Sequence, residues 1–206
     1  MALPLLLLTT GTLAGALGRL LLARLRRGAT VPPGWCELAT GLLWAILAAA
    51  NLPPRWLPLM LTFTWFAVLL ITTDLKHNRL PNALTIPAYP AVAALLAIAC
   101  LTTGGPGPEP LLRATAGALI LRCLYATVHT LKPAALGGGD VKLAGPLGAI
   151  LAAVSWLTLT VALTLAALIT LTLHAISPTR WQEGTPHAPG LLASTWLLTF
   201  LPVTHL

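Results

Sequence analysis

The stretch LPLMLTFTWFAVLLITTD, residues 57–74, is uncharged until its last residue, which is an aspartate. An apolar helix of about 20 residues crosses the hydrocarbon core of a bilayer, so residues 57–73 are predicted to span a membrane, with Asp74 at its surface. The chain contains one other aspartate, Asp140, which also borders a long apolar run. Because ionisable groups at membrane depth are costly and usually functional, these two carboxylates are the first candidates for chemistry.

The composition indicates an integral membrane protein. Of the 206 residues, 57% are hydrophobic and 8% are charged, whereas soluble domains carry about 25% charged residues. We therefore predict one membrane-embedded domain over residues 1–206, with no separate soluble domain. The net charge is +7, but the basic residues are scattered among the connections. This scatter argues against a nucleic-acid partner and favours a role in membrane orientation.

Apolar runs of membrane-spanning length recur along the whole chain. Together they predict an all-α fold, a polytopic bundle of about six to eight transmembrane helices. The run at 143–176 is longer than one span needs, and Pro146 and Gly148 near its start indicate an interfacial first turn. The predicted spans cover residues 2–23, 35–50, 57–73, 83–103, 111–131, 143–176 and 191–203.

The basic residues also predict an orientation. If the N-terminus lies outside, the inside connections hold seven basic residues and the outside connections hold three. The positive-inside rule favours this arrangement, which places Asp74 and Asp140 on the same, cytoplasmic side. The inside set is Arg24, Arg26, Arg27, Lys76, Arg79, Lys132 and Lys142, and the outside set is Arg55, Arg113 and Arg180.

Each aspartate has characteristic neighbours. Asp74 is followed by Pro81 and Asn82, which are predicted to end an interfacial turn and restart a helix, because proline suits a first helical turn. Asp140 follows three glycines, at 137–139, and precedes Lys142. Glycines allow positive φ angles and close backbone approach, so an extended substrate segment could lie against this run.

These motifs resemble those of the prepilin peptidases, or type IV leader peptidases, which are membrane aspartic proteases of the GxGD type. Gly137, Gly138, Gly139 and Asp140 match GxGD, and Lys142 continues the GDxK form. Asp74 with Pro81 and Asn82 matches the first aspartate motif. The segment Glu37-Leu-Ala-Thr-Gly41 is similar to the family's E-L-x-T-G, and Pro186-His-Ala-Pro189 faintly resembles a Pro-rich turn before its last helix. The resemblance covers residues 35–206.

The resemblance implies an endopeptidase of type IV pilus or secretion systems. Its substrate would be a prepilin or pseudopilin precursor, cut at its short leader on the cytoplasmic face of the inner (plasma) membrane. Many members carry two CxxC pairs between the first helix and the E-L-x-T-G segment, associated with N-methylation of the product. This chain has no CxxC there, so it resembles the shorter, peptidase-only form, and methyltransferase activity is not expected.

Two neighbouring carboxylates also predict a mechanism without the family. They cannot both ionise easily, so they share a proton and titrate as a pair. One can act as general base on a water while the other, protonated, polarises the scissile carbonyl. Lys142, Lys76 and Arg79 could hold charge near the site or contact substrate or lipid. No cofactor and no metal site is predicted.

Two other classes of function remain open from the sequence. A small transporter could use the carboxylates to carry protons or cations, which predicts aspartates near mid-span and an internal repeat. A non-catalytic scaffold would use Asp140 as a helix N-cap and Asp74 as a solvated loop residue. Neither accounts for both motifs on one side of the membrane.

The remaining polar residues carry weaker signals. Arg122 lies inside the fifth predicted span, so we expect it to face the bundle interior, to pair with a carboxylate such as Glu37, or to snorkel. His187 shows no pattern of partners. The cysteines Cys36, Cys100 and Cys123 lack metal-type spacing and are expected to act as small apolar residues.

Overall fold

The computed structural model describes residues 2–50, 52–102, 104–133, 136–176 and 185–203, with side chains described as far as residue 200. Over these ranges the chain forms eight helices and no strand, which confirms the all-α membrane bundle. The helices are α1 (Ala2–Arg24), α2 (Trp35–Ala49), α3 (Leu57–His77), α4 (Asn82–Leu101), α5 (Glu109–Leu131), α6 (Gly138–Val154), α7 (Trp156–Ile176) and α8 (Ala188–Val203).

Five of these helices have the length and apolar composition needed to cross a membrane: α1, α3, α4, α5 and α7. The other three are shorter, with 15 residues in α2, 17 in α6 and 16 in α8. The first five predicted spans agree with the observed helices to within a few residues, because each is bounded by Gly, Pro or charged residues that do not continue an apolar helix.

The prediction of one segment over residues 143–176 was wrong. Ser155 adopts an extended conformation, with φ −168° and ψ 161°, and divides the segment into α6 and α7. Its hydroxyl oxygen accepts the backbone N–H of Thr158 at 3.0 Å, as an N-cap residue does. Arg113 donates to the carbonyl oxygens of Ala152 and Ala153, which satisfies part of the C-terminus of α6.

This extra helix changes the end of the bundle at which α8 begins. The connection at 177–190, with Arg180, was predicted on the outside, opposite the two aspartates. Thr185–Ala188 instead lead into α8 at the end of the bundle that holds Asp74, since the backbone of Ala188 lies close to the Asp74 carboxylate. An additional span reverses the direction of every later helix, so one missed break moved this connection. Arg180 itself lies outside the described residues.

The centre of the bundle is formed by α3 and α6. About 61% of the apolar window of α3 is buried, against 17% for α7 and 22% for α1, so α3 is central and the other two helices face lipid. The buried core includes Met60, Leu69 and Leu70 of α3 and Leu147 and Ile150 of α6. The two aspartates therefore belong to helices that are largely enclosed by protein.

α5 and α6 approach each other closely where two glycines meet. A methyl group added at Gly117 would lie 2.6 Å from the carbonyl oxygen of Gly148, and one added at Gly148 would lie 2.4 Å from the carbonyl oxygen of Gly117. Small residues at such crossings let membrane helices pack backbone to backbone.

We predict that Gly117→Ala separates these helices and destabilises the protein. Overpacking typically costs about 1–3 kcal/mol, so the apparent melting temperature in detergent should fall clearly. Thr115→Ala, on the exposed side of the same helix, is the matched control and should change stability by no more than about 0.5 kcal/mol. Equal melting temperatures for the two variants would contradict the close crossing.

Candidate active site

Asp74 lies in the last turn of α3. The helix ends at Asn78, which adopts the left-handed conformation with φ 47° and donates its backbone N–H to the Asp74 carbonyl oxygen at 2.8 Å. Asn tolerates this conformation better than most residues. Asp74 is only 5% exposed, so its carboxylate is held inside the bundle. The predicted restart of the helix after Pro81 is confirmed, since α4 begins at Asn82.

Asp140 is the third residue of α6. The N-cap residue is Gly137 and not Asp140. A Cβ added at Gly137 would lie 3.2 Å from Oδ2 of Asp140, so the side chain of the third helical residue folds back towards the cap. Asp140 is 9% exposed, so the start of α6 holds a second buried carboxylate.

The three glycines are used for close approach and not for positive φ. Gly137 has φ −70°, and the described glycines with positive φ are Gly34, Gly104 and Gly107, so the GxGD run does not use the positive φ that glycine allows. A methyl group at Gly139 would lie 2.9 Å from Cβ of Leu80, whereas one at Gly138 would meet only the His129 ring, at 3.8 Å. Gly139 thus lets the start of α6 pack against the connection before α4.

Both aspartates line one cavity at this end of the bundle. Its empty volume is about 780 Å³, and the charges of the two carboxylates act on each other across it. Oδ2 of Asp74 and Oδ1 of Asp140 are buried without a hydrogen-bond partner among the described residues. The cavity is lined by Arg27, Asp74, Asn78, Arg79, Leu80, Asn82, Gly137, Gly138, Gly139, Asp140 and Lys142.

Most residues predicted for the site line this cavity, and two do not. Lys76 is exposed and donates to the backbone carbonyl of Thr30. Pro81 is buried as the N-cap residue of α4, with ψ 127°. Both residues therefore contact the segments that surround the cavity, and neither lines it.

The two aspartate motifs are joined by a direct contact. Nζ of Lys142 donates to Oδ1 of Asn82 at 2.9 Å, which links the GDxK run to the residue that follows Pro81. The Tyr89 hydroxyl donates to the Lys142 carbonyl oxygen at 2.7 Å. In a regular helix that carbonyl would accept from residue 146, but Pro146 has no N–H. Tyr89 therefore supplies the donor that the proline removes.

One of the expectations for Arg122 was that it pairs with Glu37, and the two residues do not pair. Glu37 accepts from Nε of Arg19 at 2.7 Å and from the backbone N–H of Gly34 at 2.9 Å, and so joins α1 to the start of α2. Arg122 is exposed and donates to the Tyr89 hydroxyl at 2.8 Å. The E-L-x-T-G segment accordingly belongs to the α1–α2 contact, away from the cavity.

Sequence reasoning missed two groups of residues. Arg27, Asn78 and Leu80 line the cavity, although Arg27 had been considered only as an orientation signal. His187 contacts the Tyr125 hydroxyl at 2.8 Å and Thr170 Oγ1 at 3.0 Å, immediately before Ala188. Burial lowers the pKa of His187 and favours its neutral form. The one available signal was Pro186-His-Ala-Pro189, which marks the turn but not the contacts.

The arrangement has the chemistry of a paired acid and base. Two buried carboxylates of like charge favour a state in which one is protonated and one ionised. Each also has one oxygen for which the residues that the structure describes supply no hydrogen bond. Among the described residues, no group of three or more His, Cys, Asp or Glu side chains is arranged to hold a metal ion.

The fold and the cavity define a helical membrane protein with a buried pair of aspartates at one end of its bundle. The family model described as type IV leader peptidase family matches residues 61–175, which is more than half of the 206-residue chain and includes both aspartate motifs. The chain belongs to the type IV leader peptidase family and is a peptidase of that type. No curated protein and no solved structure gives a significant match.

Gly139 and Gly138 provide a matched pair for testing the packing of the site. We predict that Gly139→Ala pushes the start of α6 away from Leu80 and lowers peptidase activity about 10- to 100-fold, the effect of a displacement of roughly 1 Å at a catalytic site. Gly138→Ala has room for its methyl group and should keep near wild-type activity. Equal activities, measured as product formed per mole of folded protein, would contradict this account.

Proposed function

We propose that this protein is an aspartic endopeptidase in which Asp74 and Asp140 together remove the short leader from prepilin-like or pseudopilin precursors. The observation that carries the proposal is the burial of both carboxylates in one cavity, each with an oxygen that has no hydrogen-bond partner in the described part of the chain. Family membership supports the reaction class. The specific substrate and the roles of the two residues belong to this proposal.

In the proposed mechanism the two carboxylates hold one proton between them. The ionised member removes a proton from a water, whose oxygen attacks the scissile carbonyl carbon. The protonated member donates to the carbonyl oxygen as charge develops there. The aspartate that took the water proton then passes it to the leaving nitrogen and the C–N bond breaks. One hydroxyl of the tetrahedral intermediate returns its proton to the other aspartate, which leaves a carboxyl group on the leader, a free amine on the mature protein and one proton on the aspartate pair.

The proposed location is the cytoplasmic face of the inner membrane. Three basic residues line the cavity: Arg27, Arg79 and Lys142. All three belong to the set that the positive-inside rule assigns to the cytoplasm. Their positive charge also favours retention of an ionised carboxylate in the cavity.

We expect no N-methylation of the new amine by this chain. The connection between α1 and α2 covers only residues 25–34 and contains no CxxC pair. Methylation, if it follows cleavage, would then require a separate enzyme.

An apolar groove supports lateral entry of the substrate from the membrane. It lies between α4, α5 and α6, with an empty volume of about 740 Å³, and its lining includes Tyr89, Ala93, Ala118 and Gly145. α4 and α6 also carry Asn82 and Asp140 of the catalytic cavity. A substrate helix in this groove would therefore run towards the aspartates, and small lining residues would allow close packing.

The role of the groove in binding the substrate helix can be tested by filling the groove with a large side chain. Ala93→Trp places a large ring in the groove, while Ala94→Trp adds the same ring on a neighbouring exposed position that does not line it. We expect Ala93→Trp to raise KM for a full-length prepilin about tenfold, equivalent to roughly 1.4 kcal/mol of lost binding. Ala94→Trp should resemble wild type. If Ala93→Trp cleaves with a wild-type KM, the substrate helix lies elsewhere.

The catalytic pair is tested by co-expression or reconstitution with a prepilin, followed by gel analysis of leader removal. Asp74→Asn and Asp140→Asn should each reduce the cleavage rate by about 10²–10⁴-fold, the usual contribution of a general acid or base. Glu109→Gln is the matched carboxylate-to-amide control, because Glu109 is exposed and pairs with Arg113. Normal cleavage by either Asn variant would remove that aspartate from the mechanism.

The same protein preparation also tests the competing transporter function. A transporter of this kind is expected to have carboxylates near mid-span, whereas Asp74 lies in the last turn of α3 and Asp140 in the first turn of α6. Protein in liposomes that cleaves no prepilin, yet moves protons in a manner abolished by both Asn substitutions, would favour the transporter.

A further inference from the structure

We propose that His187 is a positioning residue for the aspartate pair, held between Tyr125 and Thr170 so that the turn after it delivers the backbone N–H of Ala188 to Asp74. This inference rests on the proposed function, in which Asp74 is catalytic. It assigns a role to three polar residues that take no part in the mechanism described above.

The three side chains come from separate parts of the chain. Tyr125 belongs to α5, Thr170 to α7, and His187 to the connection before α8. Nε2 of His187 lies 2.8 Å from the Tyr125 hydroxyl, and Nδ1 lies 3.0 Å from Thr170 Oγ1. Both ring nitrogens are therefore used, which fixes the plane of the imidazole ring and with it the backbone at His187.

The contacts are consistent with one tautomer of His187. When the Thr170 hydroxyl donates its single proton to the Ala166 carbonyl oxygen, at 2.9 Å, Thr170 Oγ1 accepts from Nδ1–H of His187. Nε2 then carries a lone pair and accepts the Tyr125 O–H. This pattern requires the neutral imidazole with its proton on Nδ1, which the enclosed position of the ring favours.

This network reaches both aspartates. Ala188 follows His187 directly and is fully buried, and its backbone N–H lies close to the Asp74 carboxylate. On the other side of the ring, Tyr125 lies in the neighbourhood of Asp140. Pro186 and Pro189 flank the turn, and their fixed φ angles limit its freedom. The ring of His187 thus sets where the donor at the start of α8 lies.

A backbone donor at a helix start suits a carboxylate. The first N–H groups of a helix have no partner within the helix, and they carry a partial positive charge. The N–H of Ala188 lies close to the Asp74 carboxylate, while Oδ2 of that carboxylate has no hydrogen-bond partner among the described residues and can act on water. Loosening the turn would let the carboxylate rotate, so the chemical step should suffer while substrate affinity does not.

The kinetic test compares threonine variants on one helix. Thr170→Val removes the hydroxyl and keeps the shape, Thr170→Ser keeps the hydroxyl, and Thr172→Val makes the same change at an exposed position on α7. For prepilin cleavage we expect Thr170→Val and Tyr125→Phe to lower kcat about tenfold, as modest displacement of a catalytic group does, with KM unchanged. Thr170→Ser should recover most of kcat, and Thr172→Val should match wild type.

A second measurement does not depend on activity. Since the chain has only two aspartates, cell-free synthesis with ¹³C-carboxyl aspartate gives two carboxyl signals, and Asp140→Asn leaves that of Asp74 alone. In this background the Asp74 signal should move on Thr170→Val and Tyr125→Phe and return on Thr170→Ser.

The two measurements separate failure of the inference from failure of the proposed function. If the chemical shift of the Asp74 carboxyl is unchanged by Thr170→Val and Tyr125→Phe, the positioning role is wrong. It is also wrong if Thr170→Ser does not restore the kcat that Thr170→Val lowers. If the wild-type protein cleaves no prepilin, the proposed function fails, while the carboxyl signals still decide whether His187 positions Asp74.

Discussion

Asp74 and Asp140 lie in one buried cavity, where loss of hydration and mutual repulsion both oppose ionisation of the two carboxylates. Such a pair persists only if donors and opposite charges surround it. The protein places the backbone N–H of Gly137 close to Asp140 and that of Ala188 close to Asp74, and it places basic side chains on the cavity wall. These donors lie at the starts of α6 and α8, so the packing of those helices against α3 determines the electrostatics of the site.

Around the pair, side chains form hydrogen bonds that an irregular backbone leaves unmade, and these bonds join neighbouring helices. Pro146 removes one helical N–H from α6, and the Tyr89 hydroxyl takes its place at the Lys142 carbonyl. Lys142 in turn holds Asn82 at the start of α4. Gly139 permits the contact between α6 and Leu80. Proline and glycine would weaken a regular helix, but here they allow the contacts by which α6 packs against α4 and the connection before it.

The sequence predicted the fold class, five of the membrane helices and both aspartate motifs, because long apolar runs and short motifs with Gly, Pro and Asp are local signals. It failed at Ser155, since one polar residue between two apolar runs contributes little to an average over a span-length window. That failure put the start of the last helix at the opposite end of the bundle from Asp74 and concealed His187 and Ala188 as residues near the site. The pairing of Glu37 with Arg19 could not be predicted from the sequence either, because several cations and carboxylates were available as partners.

By itself the sequence determined that this protein is a helical membrane protein with two distinctive aspartates, and the motif around each aspartate indicated its family. Composition and short motifs carry this information because lipid demands apolar spans and backbone turns demand particular residues. Only the tertiary structure decided that both carboxylates share one cavity, which donor each receives, and which helix starts supply those donors. These features depend on contacts between residues far apart in the chain, such as Asp74 with Ala188 and Tyr125 with His187, and no local pattern encodes such pairings.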